Sequence, residues 1–189
     1  MKEKKFLEKY LEDLSNLIKP NNNLISKLTR CKKIISDANK NKKKIVIIGN
    51  GGSAAIANHF SVDLTKNAGI RCINFNEASL ITCFSNDYGH ENWMYKAVEF
   101  YGDKGDVLIA ISSSGNSKNI QNSVKSAKKK GFKSIITFTG LKKTNPIRKM
   151  GNLNFWVDSK AYNFVENTHQ VWLLSIVDLV IGKREYNPN

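Results

Sequence analysis

The sequence is poor in proline, cysteine and histidine, with three of each in 189 residues, and each scarcity excludes something. Cys31, Cys72 and Cys83 stand far apart without metal-ligand spacing, and an odd number argues against a disulfide framework. No apolar run approaches the roughly 18–20 residues that cross a bilayer. The basic Met1–Phe6 stretch has no apolar segment behind it, so neither a membrane span nor a cleaved signal is expected. The expected compartment is the cytoplasm. Acidic residues are also scarce: 16 Asp and Glu stand against 30 Lys and Arg, a formal charge of +14. The lysines come in short runs (Lys42–Lys44, Lys128–Lys130, Lys142–Lys143) with no aromatic-interleaved RNA motif or helix-turn-helix pattern. A solvated basic surface is expected, not a nucleic-acid face, although a positive field also helps capture small anions.

What is present reads as one α/β domain. Phe6, Tyr10, Leu11, Leu14, Leu17 and Ile18 recur at helical spacing, Pro20–Asn23 breaks the pattern, and Leu24 to Ile35 resumes it. The period then changes. Short β-branched runs at 44–48, 70–75, 106–111, 134–139 and 153–157 read as strands. Helical patterns at 53–64, 120–130 and 163–181 alternate with them, the last ending at Gly182. Strands alternating with long helices imply a parallel sheet covered on both faces. With no linker or internal repeat, residues 1–189 form one domain, with helices over 1–40 and a core over 45–182.

Open parallel sheets hold ligands beyond the carboxyl ends of their strands. Two such ends suit phosphate. Asn50, Gly51, Gly52 and Ser53 lie between the first strand and its helix, where glycines let backbone approach a ligand and a helix N-terminus offers free N–H groups. Ser112, Ser113, Ser114 and Ser117 surround a turn straight after another core strand, giving four hydroxyl donors around one anion. A tight turn or a Ser/Gly linker is the bland alternative, but linkers do not join a core strand to an amphipathic helix.

The Gly49–Ser53 turn, the Ser112–Ser117 loop and Asn86-Asp87-Tyr88-Gly89 together resemble the sugar isomerase (SIS) family, and more narrowly the bacterial phosphoheptose isomerases. The resemblance runs from about residue 45 to 182. It implies a three-layer α/β/α fold with a five-stranded parallel, flavodoxin-like sheet, and N-terminal helices that help build a homotetramer with sites between subunits. It implies a sugar-phosphate substrate, no nucleotide cofactor, and ketose–aldose isomerisation of sedoheptulose 7-phosphate for surface polysaccharide. By motif, Ser53, Ser112, Ser114 and Ser117 match phosphate-holding positions, and Asn50, Asp87 and Ser113 match positions near the sugar.

The resemblance breaks at the chemistry. Moving a proton between adjacent carbons needs a base. The family places a glutamate on the first core helix and a histidine on the last, and some members bind zinc through a histidine and that glutamate, plus a glutamine and that histidine. Here Asp63 stands for the glutamate, Glu166 for the glutamine and Leu174 for the histidine. Another histidine, His169, is near. His59 and Asp63 at i, i+4, and Glu166 and His169 at i, i+3, each share a helix face. The expectation is Asp63 as base, assisted by Glu166 and His169, with His59, Asp63, Glu166 and His169 as a divalent-metal set for zinc, manganese or iron. The alternative, favoured by Leu174, is a non-catalytic phosphosugar-binding protein acting on a partner such as a replication initiator.

Overall fold

The computed structural model describes residues 1–185; the last four residues of the expected 1–189 domain lie outside the described ones. In chain order the elements are α1 (Lys2–Ile18), α2 (Asn22–Lys40), β1 (Ile45–Ile48), α3 (Gly52–Lys66), β2 (Cys72–Ile73), α4 (Ala78–Tyr88) and α5 (Trp93–Tyr101). They continue as β3 (Val107–Ser112), α6 (Lys118–Lys130), β4 (Ser134–Thr139), a 3-10 turn (Ile147–Lys149), β5 (Leu153–Trp156) and α7 (Tyr162–Ile181). The five strands form one sheet in the order β2-β1-β3-β4-β5, with every pairing parallel.

Alternation along each strand divides the core in two. Ile45, Ile47, Ile109, Ile111, Ile136 and Phe138 face a layer built by α2, α3 and α7. Val46, Ile48, Leu108, Ala110 and Ile135 face the layer of α5 and α6. Strands buried on both faces read as continuous apolar runs, which is why periodicity alone located four of them. The second strand is only two residues long, shorter than its β-branched run suggests. Two helices went unread: α4 has no buried residue and α5 only nine residues, so neither shows a long apolar stripe.

The N-terminal helices differ in how they attach. Asn21 caps α2, its side chain accepting from the Leu24 amide at 2.9 Å, and Leu24, Cys31, Ile35 and Ala38 enter the core. By contrast α1 buries nothing; Tyr10 meets Phe164 edge-on at 4.6 Å, while Phe6, Leu7 and Leu11 are each more than half exposed.

One charged cluster ties the far end of the sheet. Asp106, 1% exposed, takes the Lys44 ammonium at 2.7 Å and the amides of Lys44 and Asp103 at 3.1 and 2.8 Å. It clamps the chain entering β3 to the chain entering β1. Replacing Asp106 with alanine leaves Lys44 its second partner, Asp103 at 2.6 Å, but strips two amides of their acceptor, so Asp106→Ala is expected to lower unfolding free energy by about 2–3 kcal/mol. Urea denaturation checks this; a change below about 1 kcal/mol counts against the clamp.

Candidate active site

The strand order contains one reversal. The chain leaves β1 toward β2 and leaves β3 toward β4 on the other side, so the loops after β1 and β3 part to opposite faces and leave a crevice between them. Those loops are Gly49–Ser53 and Ser112–Ser117. Both run into a helix, at Gly52 for α3 and Lys118 for α6, so two helix N-termini open onto one spot.

Side chains knit the loops together. Asn50 and Asn119 exchange amide hydrogen bonds at 3.0 and 2.9 Å across the crevice. Ser53, 3% exposed, and Ser113, 6% exposed, bring their hydroxyls to 3.4 Å. The Ser112 hydroxyl donates to that of Ser117 at 3.3 Å, and the Ser114 hydroxyl accepts from the Asn116 amide at 3.2 Å. Hydroxyl pairs at 3.3–3.4 Å lie beyond the usual O–H···O range, so the rotors give up little by turning to an anion. Gly51 stands as the N-cap of α3. Eight of the nine expected binding residues therefore meet here: Asn50, Gly51, Gly52, Ser53, Ser112, Ser113 and Ser117, with Ser114 on the same turn.

Asp87 does not join them. It stands exposed at the end of α4 and bonds within its own neighbourhood, accepting from Asn86 Nδ2 at 2.9 Å and from Cys83 Sγ at 3.6 Å. It makes no hydrogen bond to either serine loop.

Two close approaches require glycine. A Cβ on Gly52 would stand 2.2 Å from a Glu166 oxygen, so the carboxylate of α7 rests directly on the first turn of α3. The other Glu166 oxygen accepts from the Ser113 hydroxyl at 3.3 Å. Glu166 thus belongs to the crevice, as expected, but it sits beside the phosphate donors. Gly115 has φ of 67°, and a Cβ there would meet the Asn145 side chain at 2.0 Å. Asn145 cannot yield: it is buried, donates to the carbonyls of Gly140 and Lys142, and accepts from the Arg148 amide.

The expected four-ligand metal set is not assembled. His59 Nε2 lies 3.2 Å from Asp63 Oδ2, as their spacing on α3 requires. His169, however, is turned into the sheet face. It is fully buried, edge-on to Phe138 at 5.7 Å, and its Nε2 lies 3.1 Å from the Thr139 carbonyl. That carbonyl only accepts, so Nε2 carries the proton and Nδ1, buried without a partner, is bare. On a helix, i and i+3 lie about 60° apart. Glu166 falls on the α3 side of that divide and His169 on the core side, so His169 is neither metal ligand nor proton shuttle here. Among the described residues no group of three or more His, Cys, Asp and Glu side chains could hold a metal ion. The expected zinc, manganese or iron set does not fit this chain's own donors.

The stripe that does face α3 runs Glu166, Gln170, Leu174, Asp178. Gln170 Nε2 lies 3.5 Å from His59 Nδ1, and burial, then the Asp63 charge, raise the Asp178 carboxyl above its ordinary range. Leu174 occupies the step between them, putting a hydrocarbon where a donor would complete the group. Gln170 went unread from sequence, although its i+4 spacing from Glu166 carried the signal; Asn119 and Asn145 carried none.

Two expectations follow. Gly115→Ala must distort either its own backbone or Asn145, lowering stability by about 1–3 kcal/mol and weakening phosphate affinity, as denaturation and inorganic-phosphate titration would show. Burial lowers the His169 pKa to about 4, against the opposing pull of the Thr139 carbonyl. The unfolded chain protonates near the ordinary 6.5 and the folded chain does not, so this stability is intact above pH 6.5 and is lost as pH falls toward 4. The loss approaches about 3 kcal/mol, and the slope flattens in His169→Leu.

Comparison with known proteins agrees with this geometry. Residues 6–140 match the SIS domain family model. The phosphoheptose isomerase of Buchnera aphidicola (strain Tuc7) is 31% identical over 184 residues, covering 95% of this chain and 90% of the relative. That of Histophilus somni is 40% identical over 134 residues, 68% of each chain. The structure of phosphoheptose isomerase from Neisseria gonorrhoeae superposes with a TM-score of 0.85 at 25% identity, covering 95% of this chain and 99% of that one. The serine crevice, the five-stranded parallel sheet and these likenesses converge: the chain belongs to the SIS domain family and, within it, to the phosphoheptose isomerases.

Proposed function

We propose that this isomerase interconverts sedoheptulose 7-phosphate and an aldoheptose 7-phosphate through an enediol, supplying heptose for surface polysaccharide. The observation that carries this is the meeting of the two serine loops at the β1/β3 crevice, where neutral donors and two helix N-termini suit the phosphate of an extended sugar. Free Cys31, Cys72 and Cys83 support a reducing, cytoplasmic setting.

Asp63 is the base. His59, 3.2 Å away, orients its carboxylate, and Gln170 holds the other ring nitrogen of His59. Removing a proton from the carbon beside the ketone gives the enediol, and returning it to the neighbouring carbon gives the aldose. Glu166, against Gly52 and Ser113, positions the phosphate loops.

Asp63 lies ten residues along α3 from Ser53, about 15 Å at helical rise. That separation is near the limit that a heptose phosphate and the two contacting side chains can bridge, which favours a base and a phosphate cradle supplied by different subunits, as the family resemblance implies. The exposed Phe6, Leu7 and Leu11 face of α1 supports assembly with further copies, as a homotetramer.

The test follows exchange at C2 of sedoheptulose 7-phosphate by proton NMR in deuterated water. Asp63→Asn is expected to slow it by about 10²–10⁴ while the ketose still binds. Ser112→Ala combined with Ser114→Ala abolishes binding, and unfolding and refolding the two inactive variants together restores exchange. Full turnover by Asp63→Asn overturns the base. Wild-type protein that binds the ketose without exchanging it returns the non-catalytic reading that Leu174 favours.

A further inference from the structure

Five cations line one concavity that the phosphate crevice does not use. Lys27 and Arg30, one turn apart on α2, face Lys143 and the 3-10 turn residues Arg148 and Lys149 across a cavity of about 390 Å³ beside the edge strand β5. The remaining lining is Asn152, Leu153 and Asn154, with no carboxylate. Among the described residues, none of the five cations is in an ion pair. Asp158 belongs to the adjoining crevice that Lys27 also lines.

This is more than loose surface lysine. Arg148 is half-buried and held: its guanidinium lies 4.8 Å over the Trp156 ring, its Nη1 donates to the Lys143 carbonyl at 2.7 Å, and its amide donates to Asn145 at 2.9 Å. Lys143 approaches the same ring at 5.9 Å. Burial, followed by the Arg148 charge, lowers the Lys27 pKa, so the folded chain tolerates repulsion that an anion would offset. The volume lies within the range of small-molecule sites, too roomy for one tetrahedral anion to touch cations from three elements.

We propose that this cavity is a second anion site, taking linked phosphates, as in inorganic polyphosphate or the phosphate chain of a nucleotide. Its wall is mechanically joined to the catalytic crevice, because the amide of Ile147, beside Arg148, donates to the Gly115 carbonyl in the serine loop at 3.2 Å.

Isothermal titration of the whole protein with tripolyphosphate, ATP and orthophosphate tests this. One tripolyphosphate per chain is expected, with affinity at least about tenfold weaker in Lys27→Gln combined with Arg30→Gln and changed less than about threefold in the Ser112→Ala, Ser114→Ala variant. Equal affinity for ATP identifies the phosphate chain as the recognised group, and tighter ATP binding identifies a nucleotide; both support the site. A melting temperature for the glutamine variant at or above wild type shows that lost binding is not lost folding. Absence of tripolyphosphate binding, or loss only in the serine variant, overturns the site. So does binding of single-stranded RNA that tightens with length and resists competition by tripolyphosphate.

Discussion

A parallel sheet buried on both faces sends its crossover helices to alternate sides, and where the winding direction reverses the backbone has to part. In this chain that point lies between β1 and β3. Everything in the site descends from it. The parting exposes the amide ends of α3 and α6 together, and the loops before them carry the serines. The gap is narrow enough for Asn50 and Asn119 to close it with a reciprocal amide pair. The buried clamp of Asp106 and Lys44 holds the same two strands at their opposite ends. The crevice is therefore held from both sides.

The last helix has two jobs that compete for neighbouring positions. One flank buries Thr168, His169, Trp172 and Ile176 against the sheet layer. The other presents Glu166, Gln170, Leu174 and Asp178 to α3. Successive residues turn by about 100°, so a polar residue one position off the boundary changes allegiance completely. His169 and Gln170 illustrate this: adjacent in sequence, one is sealed against Thr139 and the other reaches His59. Burying an imidazole leaves it neutral, because desolvation outweighs the single carbonyl bond it gains.

Charge is distributed with a similar economy. The serine crevice uses neutral hydroxyls and helix ends near one glutamate, while Lys27, Arg30, Lys143, Arg148 and Lys149 gather elsewhere, between α2 and β5. A net charge of +14 spread over a small surface raises the local concentration of anions in general. Donors placed by the backbone then decide which anion stays.

The α/β class, four strands almost to the residue, the helical pair at the N-terminus and the two serine loops were legible in the amino-acid sequence. Each rests on local information: apolar runs for doubly buried strands, glycine where backbone approaches closely, and Pro20–Asn23 as a break. The sequence also showed Leu174 where a donor was expected. Which side of α7 faces α3 emerged from the three-dimensional packing, and with it the separation of His169 from His59, the place of Glu166 on Gly52, and the contact of Gln170 with His59. Helical periodicity gives the angle between two side chains but not the orientation of the helix about its axis. That orientation is set by packing against β4, β5 and α3, contacts made by residues far apart in the chain. The short α4 and α5, the position of Asp87, and the cations brought together from α2 and the 3-10 turn depend on the same long-range packing.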